Sequence, residues 1–95
     1  MNEHPEDAGL LAVLMERGER QRLPRALALE EKMNRGELLD DFDIEFLEDV
    51  FDSFSENKAL LDRHPEYQVM VSRMAGIYAR IMERAAENEK AAAEK

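Results

Sequence analysis

The sequence predicts an all-α fold, a small four-helix bundle-like domain with two short N-terminal helices packed on a longer antiparallel helical hairpin. Three observations carry that prediction. Pro5, Pro24 and Pro65 each precede an apolar-periodic segment, and proline suits the first helical position because its missing N–H would be unpaired there anyway. Gly18 and Gly36 follow Arg17 and Arg35, where helices commonly end on a glycine. β-branched residues are few and no stretch alternates cleanly between apolar and polar, so no strand pattern competes.

Taken in order, the first helix is expected at about 5–17 and the second at about 24–35. Glu6 and Asp7 after Pro5 suit the positive end of a helix dipole. The third helix, expected at about 41–61, begins around Asp40 or Asp41, after Leu39, and Asp40 and Asp43 have the spacing of a capping box. Ser53, Ser55 and Asn57 weaken its C-terminal half, where a break near Ser55–Asn57 is the alternative to one continuous helix. His64 precedes Pro65 and is pushed out of the helical region. The fourth helix is expected at about 65–88. Tyr67, Met70, Met74, Ile77 and Ile81 form its seam at alternating steps of three and four. The alanine-rich 89–95 has little to bury and is expected to fray. With no long linker, residues 1–95 are read as a single domain.

Composition narrows the function classes. The chain has 95 residues, a formal net charge of −9 and no cysteine, which removes disulfides and thiolate metal sites. The acidic start does not resemble a secretory signal, and the apolar run Leu10–Met15 is too short to cross a bilayer. A cytoplasmic protein without membrane attachment is expected. Residues 37–62 hold ten acids against Lys58 alone, so this segment carries an imbalance equal to that of the whole chain. Direct nucleic-acid contact is disfavoured by such a surface, and basic partners are favoured.

Catalysis lacks its usual parts. His4 and His64 are the only imidazoles and the four glycines are scattered, so neither a nucleophile–base pair nor a phosphate loop is evident. The acids fit no calcium loop, because Phe46 and Asp52 stand where glycine and glutamate are needed, counting from Asp41. No Glu-x-x-His pair is present for a di-iron site. The expectation is a protein that is not an enzyme and needs no cofactor or metal.

The third helix holds the candidate site. Asp41, Glu45, Glu48, Asp49, Asp52 and Glu56 fall within an arc of roughly 100° on the helical wheel. Beside them an apolar arc of about 200° contains all four phenylalanines, Phe42, Phe46, Phe51 and Phe54, more than one neighbouring helix needs. Its edge at Ile44 and Phe51 is expected to stay open beside the acids. These eight residues, Asp41, Glu45, Glu48, Asp49, Asp52, Glu56, Ile44 and Phe51, are the expected partner-binding surface, for a protein with a basic or amphipathic surface. A homodimer is also expected. Two internal readings compete, a solvated outer face and ion pairing with Arg73, Arg80 and Arg84 on the fourth helix. Arg17, Arg20, Arg22 and Arg25 form a second basic cluster, expected across a turn between the first two helices. The alternative function is an acidic nucleic-acid mimic that inhibits a DNA- or RNA-binding protein.

Overall fold

The computed structural model describes residues 6–94, and every regular element among them is helical. His4 and the expected start at Pro5 lie outside the described residues. The elements are α1 (Glu6–Arg17), a π turn (Gly18–Arg22), α2 (Leu23–Asn34), α3 (Asp41–Glu56), α4 (Lys58–Asp62), a 3-10 turn (Pro65–Tyr67) and α5 (Gln68–Ala93). The molecule is a rod of 60 × 20 × 19 Å with a radius of gyration of 15.6 Å. A compact domain of this length would have a radius of gyration of about 12 Å, so the molecule is elongated.

The first correction concerns Gly18. No turn separates the first two helices: Arg17, Arg22 and Leu23 all keep right-handed helical dihedrals, and the Leu23 N–H donates to the Gly18 carbonyl. The two short helices are therefore one helical run from Glu6 to Asn34, interrupted only by a widened turn. Pro24 supplies a reason for the widening. In a regular α-helix its ring would press on the carbonyl four residues earlier, Arg20. Opening the preceding turn relieves that contact without ending the helix. Gly18 itself is buried against the Met70 side chain, so it serves close packing and not termination.

Gly36 does terminate its helix. It has φ +83°, and Gly36 N–H donates to Met33 O at 2.9 Å while Glu37 N–H donates to Lys32 O at 3.4 Å. Those two bonds define a Schellman ending, which satisfies carbonyls the helix leaves over. The capping box of α3 is also present: Asp43 N–H donates to Asp40 Oδ1 at 2.8 Å and Asp40 N–H donates to Asp43 Oδ2 at 3.1 Å. Lys32 reaches across the loop to Asp43 at 2.5 Å and to Asp40 at 3.2 Å, tying the end of α2 to the start of α3.

The helix expected over 41–61 is not continuous: Asn57, with a φ of −105° and a ψ of 12°, separates α3 from α4. Its side-chain amide donates to Ser53 O at 2.7 Å, competing with the helical ladder. After His64, Pro65 begins a 3-10 turn that leads into α5. That helix continues past the expected end at Asn88 to Ala93. Asn88 instead donates to Met33 O at 2.8 Å and Glu37 O at 2.9 Å, so it fastens α5 to the end of α2.

Two buried clusters hold the rods together. The larger joins Ala26, Leu29 and Met33 of α2 to Phe46, Leu47 and Val50 of α3 and to Met74, Ile77, Ile81 and Ala85 of α5. The smaller joins Leu11 of α1 to Leu60 and Leu61 of α4, with Tyr67 and Val71 packed against it. The buried residues of α2, α3 and α5 recur at helical spacing, so each of these helices turns an apolar stripe inward. Among the described residues no helix is long and apolar enough to cross a membrane.

Candidate functional site

The capping box at Asp40 sets the register of α3, and with it the direction of every later side chain on that helix. Phe46, Leu47 and Val50 are buried, while Asp41, Glu45, Glu48, Asp49, Asp52 and Glu56 are all exposed. The structure therefore places the six acids together on the outer side of α3, opposite its buried stripe. Among the described residues none of the six is in an ion pair.

Ile44 and Phe51 are 42% and 58% exposed, as the width of the apolar arc implied. Phe51 borders a shallow depression with Glu48, Asp52 and Tyr78, so its open edge lies on the α5 side of α3. One turn further along α5, Met82 is also exposed. Phe42 departs from expectation. It belongs to the apolar arc with the other phenylalanines, yet it is 74% exposed. Its wheel position lies at the margin of the apolar arc opposite Ile44 and Phe51. There the backbone takes over: Arg25 Nη2 donates to Phe42 O at 3.2 Å. The same guanidinium lies 4.6 Å from the centre of the Phe46 ring, a cation–π contact.

Internal pairing with the α5 arginines is not what forms. Arg80 binds Glu30 of α2 at 2.5 Å, and Arg84 binds Glu87 at 3.2 Å and reaches Asn34 at 3.4 Å. The hydrogen bond to Glu30 raises the pKa of Arg80. Arg80 and Arg84 thus meet α2 and not the α3 acids. Arg73 lies further along, in a groove with Met15, Glu19, Leu23 and Val69.

The basic cluster of the N-terminal run is redistributed by the π turn. Arg20 pairs with Glu16 at 3.5 Å, and Arg25 engages α3 as described. Arg22 is partly buried, and desolvation lowers its pKa, with the neighbouring Arg17 charge acting in the same direction and Asp49 opposing. At the other end of α3, Asp40 is held below the ordinary carboxylate range, first by the Asp43 N–H and then by Lys32. Lys32 is raised in turn, chiefly by its bond to Asp43.

One feature had no counterpart in the sequence reading. Between the two buried clusters lies an apolar cavity of about 50 Å³, lined in part by Leu14, Gly18, Arg22, Phe54, Met70 and Val71. Among the described residues no group of three His, Asp or Glu side chains is placed to hold a metal ion. Neither family models, curated proteins nor solved structures match this chain.

Proposed function

We propose that this chain is a non-catalytic interaction module that engages a basic amphipathic segment of a protein partner through the outer face of α3. The observation that carries this reading is six exposed carboxylates, none of them in an ion pair among the described residues, bordered by the half-exposed Ile44 and Phe51. Glu45–Asp49, Glu48–Asp52 and Asp52–Glu56 are like-charge pairs four residues apart, each costing a few tenths of a kcal/mol. A basic helix laid along the face relieves that repulsion, and its apolar side meets Ile44, Phe51 and Tyr78. The scaffold we infer is a bundle in which the 6–34 run, α3–α4 and α5 stand side by side, so that α3 keeps one side open.

A synthetic amphipathic helix of lysine and leucine, titrated into the isotopically labelled full chain, tests the proposal by NMR. Shifts confined to α3 and Tyr78 are expected, with affinity falling as salt rises. Combined reversal at Glu45, Glu48 and Asp52 to lysine should remove binding while leaving the helical circular dichroism intact. Unchanged affinity in that variant, or shifts centred elsewhere, would overturn it. Light scattering in the same titration distinguishes a peptide complex from pairing of two copies through this edge.

A further inference from the structure

A groove of about 280 Å³ runs between the N-terminal helical run and the start of α5, and no described residue of α3 lines it. One rim is the row Met15, Glu19 and Leu23. Steps of four overshoot a regular helical turn by about 40°, and the wider π turn at Gly18–Arg22 takes up that overshoot, so the row stays in line along α5. The half-buried Met70 and the buried Met74 form the floor, and the exposed Val69 and Arg73 form the other rim. Val69 is 82% exposed, the most of any large apolar residue described.

The two rims carry opposite charges. Glu19 stands on one and Arg73 on the other, and among the described residues neither is in an ion pair. A groove with an acid on one rim and a base on the other complements a second copy of itself. A twofold axis along the groove lays each rim on the opposite rim of the partner, so both contacts form in one operation. The register of the helices fits that operation. The N-terminal run and α5 are parallel, with Gly18 beside Met70 and Glu30 beside Arg80. Val69 is therefore level with the interval between Met15 and Glu19, and Arg73 with the interval between Glu19 and Leu23.

We propose that this groove is the interface of a twofold dimer of the chain, separate from the α3 face. Val69 of each copy enters between Met15 and Glu19 of the other, and Arg73 of each copy meets Glu19 of the other. Methionines on the floor adapt their shape to the incoming valine. Leu27, 39% exposed and four residues beyond Leu23, continues the apolar row by another turn.

Sedimentation equilibrium of the full chain over about 1 μM to 1 mM tests this, and a monomer–dimer equilibrium is expected. Glu19→Arg sets arginine against arginine at both symmetry-related contacts, and Arg73→Glu sets glutamate against glutamate. Each variant alone should dimerise about tenfold more weakly or worse. Mixed in equal amounts, the two variants regain opposite charges at both contacts, and the mixture should associate as wild type does. An ion pair between Glu19 and Arg73 within one chain cannot produce that recovery. Val69→Ser should also weaken pairing, through the lost apolar contact. Circular dichroism of each variant establishes that it is folded. A wild type that stays monomeric throughout the range, undiminished pairing of Glu19→Arg or Val69→Ser, or a mixture that associates no better than its components would each overturn the proposal.

Discussion

Gly18→Ala is a perturbation whose outcome the structure decides. Two effects oppose each other. Alanine at a compatible helical position stabilises by about 0.4–1 kcal/mol, mostly by restricting the unfolded chain, and Gly18 is in a helical run without positive φ. Against that, an added Cβ would overlap the Met70 Cε methyl, with Met70 Sδ 3.5 Å away. Overpacking a filled core costs about 1–3 kcal/mol, enough to reverse the sign. The site is not filled, however. Met70 borders the cavity of about 50 Å³ and meets Gly18 with the far end of a flexible side chain. The methyl can swing into that space, so the backbone effect wins. The expected net gain is about 0.5 kcal/mol, or a Tm higher by roughly 2–4 °C for a chain of this size. Urea denaturation followed at 222 nm measures it. Gly9→Ala is the internal control, since nothing lies within 4 Å of a Cβ there. The difference between the two variants isolates the cost of moving Met70. A loss of about 1 kcal/mol or more in Gly18→Ala alone would refute the reasoning, because it would mean Met70 has nowhere to go.

Asn88→Ala removes donors to two carbonyls, Met33 O and Glu37 O. It should cost about 1–2 kcal/mol in the same denaturation assay, and a cost near zero would show that water replaces both bonds. The box of Lys32, Asp40 and Asp43 predicts a pH dependence with two arms. Asp40 has a folded pKa below its unfolded value, so its contribution is present above the ordinary aspartate range and fades as pH falls through the lower folded value. Lys32 has a raised folded pKa, so its contribution is present below the ordinary lysine range and fades as pH rises through the higher folded value. Asp40→Ala should flatten the acid arm of a Tm-against-pH profile, and an unchanged profile would refute the assignment.

What was legible in the sequence is what depends on neighbours along the chain. The Asp40–Asp43 box, the Gly36 ending and the break at Asn57 all form from groups within a few residues of each other. Gly18 and Pro24 carry the same local signals as true helix boundaries, but Gly18 is buried against Met70, more than fifty residues away. A distant contact accompanies a continuous helix where local preference pointed to a stop. The arginines of α5 show the same limit. Their stripe was visible, but whether α2 or α3 lies beside it is set by packing, and Arg80 meets Glu30. At the candidate site, the exposure of Ile44 and Phe51 followed from an apolar arc too wide for its neighbours. The cavity did not, because it arises where two separately packed clusters meet imperfectly.

The division of the interior into two clusters has a consequence for how the molecule opens. The upper cluster unites α2, α3 and α5 around ten buried residues, while the lower holds α1 and α4 through Leu11, Leu60 and Leu61. A region with so few buried apolar groups can separate at a fraction of the free energy of complete unfolding. The break at Asn57 and the widened turn at Gly18–Arg22 lie at the two places where such a separation would hinge. Amide protons of α1 and α4 therefore exchange through partial openings, and those of α2 and the middle of α5 only through global ones. The rod behaves as a firm half joined to a yielding half, and its hinge lies at the cavity.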